Sequence, residues 1–152
     1  VFSQKDTTHI AHNIVYVEIG GIAGYGSLNY ERAFFIKTKW TLSARVGIST
    51  MNLKDYTNKF NPDILVPFAV YGSYGSNHKA EIGIGQLYEN VVRADLSEFK
   101  PIRVSHFNTV FSVAYKYQRK HGGLFIRVAY SPIIDYEGVY RNWGGVSIGY
   151  SF

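Results

Sequence analysis

Apolar side chains recur at every second position along most of the chain, the period of a β-strand, and no window of helical length carries the i, i+3, i+4, i+7 stripe of an amphipathic helix. Trp40, Leu42, Ala44, Val46 and Ile48 alternate with Thr41, Ser43, Arg45, Gly47 and Ser49. The same split separates Val146, Ile148, Tyr150 and Phe152 from Gly145, Ser147, Gly149 and Ser151, and Leu124, Ile126, Val128 and Tyr130 from Phe125, Arg127, Ala129 and Ser131. Near the start, Val15, Val17 and Ile19 oppose Tyr16, Glu18 and Gly20. Continued along the chain, the pattern predicts eight strands at about 14–23, 26–35, 39–49, 63–73, 78–89, 106–118, 123–132 and 143–152. Most have about ten residues, enough for a tilted strand to cross a hydrocarbon layer and longer than the roughly five or six usual in a soluble sheet.

The connections alternate as well. Short turns fall at 36–38, 74–77 and 119–122, and long loops at 50–62, 88–105 and 133–142, with one short connection near 24–26 at the long-loop end. The expected fold is therefore all-β: an eight-stranded antiparallel up-and-down transmembrane barrel over 13–152, closed by pairing 15–22 with 146–152. Residues 1–12 are expected to be an N-terminal periplasmic segment, with 1–3 reading as the end of a secretory signal peptide.

Alternation alone fits a soluble ligand-carrying barrel equally well, and composition separates the two. The chain has 152 residues, 46% of them hydrophobic, 16% aromatic and only 18% charged, which excludes a disordered chain. The polar face of the strands is built from Gly, Ser, Thr and Ala with isolated charges, whereas a water-facing sheet would be crowded with Lys, Glu, Asp and Gln. Small polar residues suit a narrow packed interior. The apolar face carries Leu, Ile, Val and Phe, with Tyr30, Trp40, Tyr71, Tyr115, Tyr117, Tyr130, Trp143 and Tyr150 toward strand ends, as expected of lipid contact with aromatic girdles. No cysteine is present, so disulfides, thiolate metal sites and a Cys nucleophile are excluded, and the apolar run 64–70 is far short of the roughly 20 residues of a spanning helix.

The net charge of +5 has a place. The lumen is expected to hold Glu18, Glu31 and Glu81 against Arg45, Lys116 and Arg127, a balanced set forming a hydrogen-bonded plug, since an unpaired charge in a dry interior costs several kcal/mol. In the long loops Lys54, Lys59, Arg93, Lys100, Arg103 and Arg141 balance Asp55, Glu89, Asp95, Glu98, Asp135 and Glu137, while Lys5 offsets Asp6 and Arg32 offsets Asp63. The surplus is Lys37, Lys39, Lys79, Arg119 and Lys120 near the short turns, a basic periplasmic rim facing inner-leaflet phosphates, each contact contributing about 1 kcal/mol where the surface is anionic. Solvated turn lysines explain the same residues equally well. No basic stripe with interleaved aromatics suggests nucleic acid.

Several stretches together resemble the small outer-membrane β-barrel proteins of Gram-negative bacteria, especially the Bacteroidota type. They are Glu18-Ile19-Gly20-Gly21 with Gly26-Ser27-Leu28-Asn29-Tyr30-Glu31; Glu81-Ile82-Gly83-Ile84-Gly85; Tyr115-Lys116-Tyr117-Gln118 leading through Gly122-Gly123-Leu124-Phe125-Ile126-Arg127 to Pro132; and the ending from Trp143 to Phe152. Lys116 stands where Arg is more usual in the resemblance, keeping the charge and losing the bidentate fork. The ending is the sharpest likeness: Val146, Ile148, Tyr150 and Phe152 resemble the C-terminal signal by which the barrel assembly machinery recognises its clients. The resemblance implies a fold and an address in the cell envelope, with both termini periplasmic, and little about activity.

Some barrels of this size are lipid A deacylases or acyltransferases, so Ser105 and His106 with Glu98 or Glu89 are the candidate relay. Adjacent strand residues point to opposite faces, which argues against pairing Ser105 with His106. His9 and His12 precede the barrel, and His78 and His121 fall in different turns, so no metal site is expected, nor any cofactor. The expected function is non-enzymatic: a structural or accessory subunit docking partner proteins in an outer-membrane assembly, in contact with outer-membrane lipids and lipopolysaccharide. The alternatives are a lipid A-modifying enzyme and a small pore or ligand-binding barrel.

Overall fold

The structure, a computed structural model, describes residues 10–23 and 25–152. Residues 1–3, Lys5, Asp6 and His9, named above, lie outside the described residues. The strands are β1 (Asn13–Gly20), β2 (Gly26–Lys37), β3 (Trp40–Ser49), β4 (Ile64–Gly75), β5 (His78–Ala94), β6 (Pro101–Gln118), β7 (Gly123–Tyr130), the short β8 (Ile133–Ile134) and β9 (Tyr140–Arg141), and β10 (Gly144–Ser151). β1–β7 and β10 form a closed eight-stranded antiparallel barrel, with β8 and β9 as a small extension beside β6. Closure is made by β1 against β10, from Ile14 opposite Ser151 to Gly20 opposite Gly145, so no barrel strand is left with an open edge.

Strand parity decides which side chains face inward. Outward apolar residues such as Val15, Val17, Ile19 and Ile82 are 41–74% exposed, while their neighbours Tyr16, Glu18, Ser43, Arg45, Glu81 and Arg127 are buried. The interior has an apolar cluster of Ile22, Ala23, Leu65, Ala69, Tyr71, Leu87 and Val110 toward the long-loop end, and a smaller one of Ile14, Tyr16 and Phe125. A bulge in β2 at Phe34 breaks the alternation, and Phe34 and Phe35 both face outward.

Three local expectations are corrected. The first strand ends at Gly20, not 23: Gly20 and Gly21 have φ of +74° and +69°, and the following 3-10 turn (Gly21–Ala23) folds Ile22 and Ala23 into the barrel mouth. The loop expected at 88–105 is a tall β5–β6 hairpin whose strands stay paired as far as Ala94 opposite Pro101, leaving a tight 95–100 connection. Asp95 sets that turn by accepting bonds from the Ser97 backbone N–H (2.9 Å) and hydroxyl (2.7 Å), and Asp63 accepts from Val92 N (3.0 Å). Tyr71 faces the lumen, because it shares parity with Ala69 and Ser73, and Trp143 lies before β10 at the loop end, so neither belongs to an outer girdle. Ahead of β1 the chain runs along the short-turn end, where Ala11 N donates to Lys120 O (2.9 Å) and Ala33 N to His12 O (2.7 Å).

Candidate functional site: a sealed charge network in the lumen

Glu18, Glu31, Arg45, Glu81, Lys116 and Arg127 project inward from six strands, and each is 3% exposed or less. They form two groups. In the first, Arg45 grips Glu18 through both oxygens, Nη1 to Oε2 at 3.1 Å and Nη2 to Oε1 at 2.9 Å, the bidentate geometry that a planar guanidinium allows. Glu18 also accepts from the Ser147 hydroxyl (2.9 Å) and from Ile22 N (3.2 Å), while Arg45 donates to Asn29 Oδ1 (2.8 Å) and the Tyr71 hydroxyl (3.1 Å).

In the second, Lys116 Nζ bridges Glu31 (2.6 Å) and Glu81 (3.1 Å), and Arg127 bridges the same two acids, Nη2 to Glu31 at 2.5 Å and Nε to Glu81 at 2.7 Å. Ser43 donates to Glu31 (2.7 Å), and Arg127 Nη1 donates to the Tyr16 hydroxyl (2.9 Å). Two tyrosines couple the groups. Arg45 and Arg127 lie over the Tyr16 ring at 5.6 and 5.3 Å, and Arg127 lies 4.6 Å over Tyr71, whose hydroxyl holds Arg45. Alternation puts Tyr16 among the inward residues and gives no reason to single it out. Its role depends on strands far apart in sequence.

Within the network three cations meet three carboxylates, so its charges cancel, and side chains fill the cross-section. The Ile22–Leu65–Leu87–Val110 cluster caps one end. Toward the other, Lys79 turns inward: Nζ donates to Thr41 Oγ1 (3.3 Å) and Gln118 Oε1 (3.4 Å). Lys79 thus points away from the other members of the expected basic periplasmic rim, because its parity on β5 is that of Glu81. Lys37, Lys39, Arg119 and Lys120 lie exposed at the short-turn end. Val146, Ile148 and Tyr150 on β10, and Phe152 just after it, are all about half exposed.

Ser105 is held away from His106, and Glu98 away from both. The Ser105 hydroxyl accepts from Asn90 (2.9 Å) and is bonded with Tyr88 (3.2 Å), whereas His106 stacks on Tyr136 with centroids 3.9 Å apart at 7°. Glu89 is the cross-strand partner of His106, and Glu98 pairs with Lys100 at the exposed hairpin tip. At the other end, His78 packs beside Tyr115 and Tyr117, and among the described residues no three of His, Asp and Glu converge as a metal site.

No protein-family model matches the chain, and no curated protein sequence matches it. Among solved structures it is similar to the N-terminal β-barrel domain of Pseudomonas aeruginosa OprF, with a TM-score of 0.62 at 11% identity, covering 95% of this chain and 100% of that one. It is also similar to the Yersinia pestis outer membrane protein Ail, determined in a phospholipid bilayer nanodisc, with a TM-score of 0.56 at 7% identity, covering 93% and 99%. At such identities the likeness shows the fold: the chain is a closed eight-stranded barrel of the architecture that these two share.

Proposed function

We propose that the protein is an integral, non-enzymatic barrel of the Gram-negative outer membrane, of the Bacteroidota type. In this reading it is a structural or accessory subunit, with both termini in the periplasm and its loops docking partner proteins in an outer-membrane assembly. The observation that carries the membrane reading is the pairing of a half-exposed apolar outer wall with an interior holding six buried charges, the inverse of a water-soluble barrel. Closure supports it further, because in hydrocarbon each unpaired backbone N–H or C=O would cost several kcal/mol. A concavity of about 650 Å3 on the outer wall, between Val17, Ile19, Leu28 and Ile48 and the loop side chains Leu53 and Phe60, suits acyl chains of outer-membrane lipid or lipopolysaccharide.

The filled interior favours a plug over a pore, and the four exposed basic residues at the short-turn end suit inner-leaflet phosphates. Val146, Ile148, Tyr150 and Phe152 are proposed as the signal for the barrel assembly machinery. The deciding experiment is purification with and without amphiphile. The reading requires detergent or nanodiscs for a monodisperse protein, and monodispersity in plain buffer would overturn it. Co-purification in mild detergent then identifies the docked partner, and recovery of the barrel alone under crosslinking would count against the docking role. Ser105→Ala with His106→Ala should leave lipid A unchanged by mass spectrometry, and a changed acylation pattern would restore the enzyme reading.

A further inference from the structure

We infer that the loop end of the barrel holds a binding site for a neutral sugar ring. A cup of about 400 Å3 opens there between the β5–β6 hairpin and the β8–β9 hairpin, with Tyr25 on a third side. Small-ligand sites have volumes of roughly 300–1,000 Å3. The cup is blind: Leu87 on its floor belongs to the apolar cluster above the charge network, and Ile133 packs against that cluster.

The chemistry of the lining selects the ligand. Glu89 and Asp135 stand against Arg93 and Arg141, with Asp135 paired to Arg141 at 3.3 Å, so the charges cancel and favour a ligand without net charge. Glu89 lines the cup with Asn108, whose Oδ1 accepts from Tyr136 N at 3.1 Å. That leaves carboxylate lone pairs at the cup for hydroxyl donors. Flat apolar faces complete the site. Tyr136 is held against His106, and Tyr25 meets Trp143 edge-on at 6.4 Å and 83°, while Trp143 Nε1 is buried with no hydrogen-bond partner among the described residues. A pyranose offers C–H faces for the rings and hydroxyls for the carboxylate and amide, whereas a cation or anion meets a like charge in the lining.

The chain has two tryptophans, so Trp40→Phe leaves Trp143 as the only fluorophore of its kind, inside the cup. This variant, purified in an amine-oxide detergent that carries no sugar headgroup, is titrated with methyl glucoside, methyl galactoside, methyl mannoside and choline. At least one glycoside should shift the emission with a dissociation constant in the millimolar range. Glu89→Ala and Tyr136→Ala should each raise that constant about tenfold or more, with the barrel verified as folded by its gel mobility before and after boiling. The proposal is overturned if no glycoside shifts the emission of the folded protein, if choline alone does so, or if both variants bind as tightly as the parent.

Competition from intact lipopolysaccharide in a nanodisc would assign the sugar to the membrane's own lipid. Competition only from a soluble oligosaccharide would assign it to a free glycan, and either outcome supports the site. This last arm rests on the outer-membrane reading and the binding assay does not, so the two can fail separately.

Discussion

The lumen and the loop end use the same ion-pair chemistry to opposite effect. In the lumen Lys116, Arg127, Glu31 and Glu81 are almost fully buried and cross-linked, whereas at the hairpin tip the Lys100–Glu98 pair, of ordinary 3.0 Å length, has side chains 73% and 64% exposed. Length does not distinguish them. Water does: the exposed pair is screened and replaceable, while each buried group has lost its hydration and depends wholly on its partners. The lumen therefore fixes one arrangement of the strands, and the hairpin tip is free to vary its charges.

The comparison can be broken most severely at Arg127. Arg127→Met leaves Glu31 and Glu81 sharing Lys116 alone, and should destabilise the barrel by about 3–5 kcal/mol in urea unfolding from micelles. A loss under about 1 kcal/mol would mean that water enters the lumen and screens the acids. Arg45→Met should cost less, about 3 kcal/mol, since Glu18 keeps Ser147 and Ile22 N as donors. Adding Glu18→Gln to it should recover part of that loss, because the stranded charge is then gone.

Tyr71→Phe removes one acceptor from Arg45 and leaves the ring under Arg127, for about 1 kcal/mol in the same assay. Glu98→Gln, at the exposed end of the scale, should change stability by about 0.5 kcal/mol or less.

The smallest effect is one of pH. Backbone N–H bonds from Val139 and Glu137 hold the Asp135 carboxyl below its usual range, so its contribution to the β8–β9 turn is complete above the ordinary carboxylate pKa. That contribution is lost as pH falls through the lowered value, and amide exchange at Val139 should quicken only there. Quickening already at the ordinary carboxylate pKa would mean that the turn does not persist in solution.

The strands were legible because a period of two needs only neighbouring residues. Trp40 to Ser49 shows its two faces without any knowledge of β4. The six lumen charges share inward parity, and that too is local information. The Arg45–Glu18 fork was not legible, because it joins β3 to β1 across the interior, nor was the sharing of both acids by Lys116 and Arg127. Tyr71 was misassigned to the outer wall because an aromatic residue near a strand end resembles a girdle residue by type, and parity had to overrule composition. The region 88–105 looked like a loop because it is polar, although cross-strand pairing carries it upward as a hairpin whose neighbours include Asp63.

The sequence by itself determined the period, the eight barrel strands, the inward parity of the six network charges and their balance, since these follow from alternation and chain connectivity. Only the tertiary structure decided which acid meets which base, where Gly20 and Gly21 turn Ile22 into the mouth, and how two hairpins enclose a cup above it. Those contacts join residues far apart in the chain, and their geometry is set by the closure and register of the whole barrel, which no local window contains.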